Sequence, residues 1–78
     1  MPSALVLLVC QSGCERLVLD TMRKMPGVTE SNMVFGGYDI IAKVTADKMD
    51  RLKEIVAWKI RKLEGVKTSL TLIRHERR

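Results

Sequence analysis

Residues 23–31 read Arg-Lys-Met-Pro-Gly-Val-Thr-Glu-Ser, and residues 61–69 read Arg-Lys-Leu-Glu-Gly-Val-Lys-Thr-Ser. Two basic residues, an apolar residue, Gly-Val and a Ser recur in register 38 positions apart, about half of the 78-residue chain. The sequence therefore reads as one supersecondary unit used twice. In each copy Arg-Lys closes a helical pattern, the Gly suits the left-handed cap that ends a helix, and the Val opens a strand. The unit is strand–helix–strand, and two in series make βαββαβ.

Outward from the two junctions, the remaining elements fall into place. Ala4–Cys10 is apolar at every position, which predicts a strand buried on both faces. Gln11-Ser12-Gly13 is a turn. From Cys14 to Met25, residues Cys14, Leu17, Val18, Met22 and Met25 recur at helical spacing, with Glu15 in the first turn and Arg23-Lys24 in the last. Val28–Phe35 is polar enough to be an edge strand, and Gly36-Gly37 predicts a tight two-residue hairpin. Tyr38–Thr45 follows, with Tyr38, Ile40, Ala42 and Val44 on one face. Thr45-Ala46-Asp47 offers an N-cap to a second helix over Asp47–Leu63, striped by Met49, Leu52, Ile55, Val56, Ile60 and Leu63. Gly65 ends it, and Val66–Arg74 is the last strand.

Two right-handed crossovers joined by a hairpin predict an α+β, ferredoxin-like sandwich: an antiparallel sheet of order 4-1-3-2 with both helices on one face. The chain is expected to be a single domain over residues 1–78, with its core at 4–73 and a basic tail at 74–78. A central first strand that is apolar on both faces predicts that the bare sheet face is covered by a second subunit. Trp58 lies outside the apolar stripe of the second helix, either as a contact anchor or packed flat along the helix edge.

Net charge is +5, from 14 basic and 9 acidic residues. The basic residues are scattered, and Arg74-His75-Glu76-Arg77-Arg78 is the compact cluster, so a solvated basic surface is expected rather than a nucleic-acid track. RNA recognition on this fold needs aromatics on the central strands, and those strands offer Tyr38 alone. The apolar start lacks a positive n-region and an Ala-x-Ala site, so it reads as a strand and not as a secretory signal. No run approaches the roughly 18 apolar residues that cross a bilayer. Two cysteines without targeting features suit free thiols in a reducing cytoplasm.

The chain offers little for catalysis, and the expectation is that it is not an enzyme. Its one histidine, His75, sits in the tail, and no nucleophile–base–acid set assembles around it. Cys10-Gln-Ser-Gly-Cys14 occupies the loop where small ferredoxin-like metal carriers hold soft metals, but with Cys-x-x-x-Cys instead of Cys-x-x-Cys spacing. Core cysteines, no metal and no cofactor are the expectation, with a soft-metal carrier or small enzyme using Cys10 and Cys14 as the competing class. The hairpin Phe35-Gly-Gly-Tyr-Asp39 remains. Its glycine amides suit a carboxylate and Asp39 suits an ammonium, so it could hold a small zwitterion. Equally, Asp39 could serve only to accept turn amides.

Val34-Phe-Gly-Gly-Tyr-Asp-Ile-Ile-Ala-Lys-Val44, flanked by Met25-Pro-Gly-Val28 and Glu64-Gly-Val-Lys-Thr-Ser-Leu-Thr-Leu72, closely resembles the regulatory domain of Lrp/AsnC transcription regulators. The resemblance covers Ala4 to Ile73. Members carry an N-terminal helix-turn-helix followed by this domain, which binds amino acids and assembles dimers into larger oligomers. The resemblance implies a stand-alone form without the helix-turn-helix: a cytoplasmic effector-binding and oligomerisation module that modulates transcription indirectly. Its implied partners are an amino-acid effector, further copies of itself as a dimer or an assembly such as an octamer, and full-length Lrp/AsnC regulators. Direct nucleic-acid or membrane binding is not implied. Family effectors sit between dimers, and the matching positions are Gly36, Gly37, Tyr38 and Asp39, with Thr68, Ser69 and Leu70 at the last helix–strand junction.

Overall fold

The computed structural model describes residues 1–74; the expectations placed on His75 and the rest of the basic tail lie outside the described residues. The elements run β1 (Ser3–Cys10), α1 (Glu15–Arg23), β2 (Val28–Met33), β3 (Ile40–Thr45), α2 (Met49–Glu54, continuing as a π-helix over Ile55–Ile60) and β4 (Val66–Arg74). The sheet order is β2-β3-β1-β4, with every neighbouring pair antiparallel. This is the ferredoxin-like βαββαβ arrangement.

The repeated Gly-Val junctions are where the two halves lock together. Gly27 has φ +94°, and a Cβ there would lie 2.8 Å from Ile55 Cδ1 and 3.2 Å from the Thr45 carbonyl oxygen. Gly65 has φ +96°, and its Cβ would lie 2.9 Å from Cys14 Cβ and 3.1 Å from Val18 Cγ2. Each glycine thus needs both the left-handed conformation and the missing side chain. Their carbonyls are used alike: Thr45 N–H donates to Gly27 O and Gln11 N–H to Gly65 O, both at 2.8 Å. Each junction is seated on the opposite half of the chain.

Side chains alternate across the sheet. Val6, Leu8, Ile40 and Val44 point to the helices and are fully buried with Val18, Met22, Leu52 and Ile60. Leu5, Leu7 and Val9 of β1 point the other way. On that face the register sets Leu5 beside Leu72, and Leu7 beside both Ile41 and Leu70. Leu5, Leu70 and Leu72 remain 43%, 41% and 52% exposed. The bare face is a continuous apolar surface crossing three strands.

Three local expectations are corrected. Gly36-Gly37 does not make a two-residue hairpin: β2 stops at Met33, β3 starts at Ile40, and the Val34 N–H donates to Asp39 O at 2.9 Å across a longer loop. Tyr38 and Asp39 therefore lie in that loop and not in the strand. The second helix is not α-helical throughout: Arg61 N–H donates to Val56 O, the i→i+5 spacing. The wider turn brings Ile55 and Ile60, five residues apart, closer together on one buried side than the roughly 140° that regular α geometry sets between them. Its N-cap is Lys48, with no side-chain cap, so Asp47 does not play that part. Trp58, in the same turn, is 63% exposed, with Lys62 Nζ 4.3 Å from its ring centroid.

Candidate functional site

Asp39 is placed by backbone bonds from two sides: its N–H donates to Leu8 O at 2.8 Å, and its carbonyl accepts from Val34. Its side chain reaches over the end of β1, where Oδ2 accepts the Cys10 N–H at 2.8 Å. A carboxylate on a backbone amide is a charge-assisted bond, and here it joins residues 29 apart in sequence. Oδ1 makes no hydrogen bond among the described residues.

Two clefts meet at this carboxylate. One, of about 520 Å³, is lined by Cys10, Gln11, Ser12, Glu15, Asp39 and Lys67. The other, of about 370 Å³, adds Arg16, Met33, Val34 and Phe35 to Glu15 and Asp39. Cations and anions thus face one another around Asp39, with apolar surface on one side. Glu15 is partly engaged, accepting the Gly13 N–H at 3.1 Å. Gly36 and Gly37 are exposed with open space about them, and Phe35 beside them is fully exposed.

The last-junction positions divide between the two faces. Thr68 pairs with Val9 and Leu70 with Leu7, so both lie on the bare face. Thr68 stands one strand beyond Val9 from the Asp39 end of β3. Ser69 pairs with Leu8 and turns to the helix side, where it borders a groove beneath α2. Neither of the two clefts at Asp39 takes in Thr68, Ser69 or Leu70. Glu15, Arg16 and Lys67 line the clefts and were not singled out from the sequence. The available signal was their position at element ends that the fold brings to one end of the sheet.

Burial holds the Cys10 thiol above its usual value of 9.0, with the negative charges of Asp39 and Glu15 and the neighbouring Cys14 adding to the effect. Cys10 is buried and Cys14 half-buried, and both are free thiols. Among the described residues no three His, Cys, Asp or Glu side chains cluster so as to hold a metal ion. No helix among them is long and apolar enough to cross a membrane.

A family model described as the Lrp/AsnC ligand binding domain matches residues 3–77. The chain belongs to the Lrp/AsnC ligand-binding domain family. An uncharacterised HTH-type transcriptional regulator of Pyrococcus furiosus is 34% identical over 59 residues, 76% of this chain and 39% of that protein. The chain thus spans well under half the length of the curated relatives it matches. Among solved structures, one described as FFRP-DM1 superposes with a TM-score of 0.92 at 36% identity, covering 96% of this chain and 100% of that one. A hypothetical protein of Pyrococcus horikoshii gives 0.91 at 35% identity, covering 99% and 93%. A transcriptional regulator of Neisseria meningitidis, solved as a complex with L-Met, shares the Lrp/AsnC domain fold with a TM-score of 0.81 at 16% identity, over 96% of this chain and 50% of that one.

Proposed function

We propose that this Lrp/AsnC domain binds a free amino acid at the Phe35–Asp39 loop, self-associates through its bare sheet face, and so modulates transcription in the cytoplasm. The observation that carries the proposal is the divided carboxylate of Asp39. One oxygen accepts the Cys10 amide, the other has no hydrogen-bond partner among the described residues, and Asp39 lines both clefts. A pre-positioned carboxylate suits an ammonium group. Arg16 and Lys67, with the open amides of Gly36 and Gly37, supply the complementary charge and donors for the ligand's carboxylate. Thr68 and Leu70 lie on the face that a second subunit would cover, so they contribute to the site only in an assembly. The L-methionine bound by the Neisseria regulator fits the same ligand class. Full-length Lrp/AsnC regulators are the proposed partners for co-assembly.

Asp39→Asn separates a binding role from a structural one. The amide oxygen still accepts the Cys10 N–H, while the charge that pairs with an ammonium is gone. Calorimetry with the twenty amino acids should find one or more ligands, and affinity in Asp39→Asn should fall about 10- to 150-fold, the loss of a charged hydrogen bond. Unchanged affinity removes the ammonium role and leaves Asp39 as a clasp on β1. No binding of any amino acid to the wild type removes the effector reading altogether.

A further inference from the structure

The internal repeat allows one half of the molecule to be compared with the other. Arg23 and Ser31 in the first half correspond to Arg61 and Ser69 in the second. In the first half, Arg23 Nη2 donates to the Ser31 carbonyl on the edge strand β2 at 3.2 Å, closing that edge against α1. In the second half the side chain of Arg61 makes no hydrogen bond or ion pair among the described residues, and neither does that of Lys67. Both line a polar pocket of about 260 Å³ with Val66, Thr68 and Ser69, and among the described residues no acidic one borders it, although Lys67 also lines the cleft that holds Glu15 and Asp39.

Through Arg61 and Ser69 this pocket continues into a largely apolar groove of about 400 Å³ between α2 and β4, floored by Val56, Ala57 and Ile73. Alongside runs the outer edge of β4, which among the described residues pairs only with β1 and so presents unpaired N–H and C=O groups. A free strand edge, an apolar groove for alternate side chains and two cations at one end, Arg61 and Lys67, form a composite surface. A strand laid antiparallel to β4 would end beside Val66 and Lys67, where the cations stand.

We propose that the edge of β4 and the groove beneath α2 capture the extended C-terminal segment of a partner polypeptide, antiparallel to β4, with its terminal carboxylate on Arg61 and Lys67. Charge favours this occupant over a second copy of the chain. Antiparallel pairing of β4 with itself would bring Lys67 of each copy to the Arg74 end of the other, like charge toward like. The site shares Lys67 with one of the Asp39 clefts, but Arg61 and Ala57 line neither of them, so variants at those two positions test it independently of the amino-acid reading.

The test is fluorescence anisotropy of the intact chain with pooled labelled hexapeptides carrying Val, Leu or Phe at alternate positions, each as free acid and as C-terminal amide. Free-acid peptides should bind, and amidation should weaken binding at least about tenfold. Arg61→Gln should do the same, and Ala57→Trp, at an exposed position, should abolish binding by filling the groove. Arg23→Gln, the matching change in the other half, should leave peptide affinity unchanged. Amino-acid calorimetry should be indifferent to Arg61→Gln, so that failure here and failure of the effector reading are told apart. Any of several results overturns the proposal: no peptide bound at millimolar concentration, equal binding of acid and amide, or full displacement by acetate together with insensitivity to Ala57→Trp. Slow hydrogen exchange of the outer β4 amides in the free protein would also overturn it, since the edge would already be covered by another copy.

Discussion

Cys10 joins core and site at one residue: its side chain is buried against the helices while its amide holds Asp39. Burial and the adjacent carboxylates favour the neutral thiol, so folding raises its pKa above the usual 9.0. The protonated form is the one the fold stabilises. That contribution is complete below about pH 9 and is lost as pH rises through the higher folded value. Stability from urea melts should therefore fall more steeply above pH 9 in the wild type than in Cys10→Ala. Parallel curves would show that the thiol ionises as freely in the fold as in the unfolded chain. The Asp39–Cys10 bond itself was not legible in the sequence. It joins residues with no shared spacing, and the open choice between a ligand-binding and an amide-accepting Asp39 reflects that.

Among the elements, the glycine junctions give the sharpest contrast. Gly65 combines a positive φ with side chains at 2.9 and 3.1 Å from where a Cβ would sit, whereas Gly37 has neither positive φ nor any neighbour within 4 Å. Gly65→Ala should cost about 1–3 kcal/mol in backbone strain alone. For a domain this size that corresponds to a Tm lower by roughly 4–8 °C per kcal/mol. Gly37→Ala should stay close to the wild type, and equal melting curves for the two variants would refute the interlock. These junctions were readable because a repeated Gly-Val after a helical pattern encodes cap and strand start locally. The π turn was not, because Ile55, Val56 and Ile60 fit a helical stripe well enough to hide one residue of slack. Nor was the loop, because two glycines permit a tight turn without requiring it, and the Val34–Asp39 bond sets its actual width.

At the scale of the whole molecule, strand order and the unequal faces of the sheet followed from the repeat and from an apolar first strand. Which residues of β1 look outward needed the structure. Val6 and Leu8 are fully buried under the helices, and Leu5 and Leu7 face the bare side. Leu7→Lys should therefore leave the monomer fold intact while dissociating the proposed oligomer, read by native mass spectrometry at micromolar concentration. A wild-type chain that is already monomeric there would remove the association proposal. Val6→Lys should instead unfold the domain, since it buries an unpaired charge.

Ser3 and Arg74 lie opposite each other in adjacent strands, so the two ends of the described chain stand side by side. The order in which the halves are strung is therefore incidental to the architecture. A circular permutant that joins these ends through a short Gly-Ser bridge and opens between Gly36 and Gly37 would present β3-α2-β4 before β1-α1-β2. It should give the same circular dichroism spectrum and cooperative melting, because each junction still finds its seat on the opposite half. The cut loop should no longer hold a ligand. Such a rearranged chain would separate what folds this domain from the proposed binding of an effector.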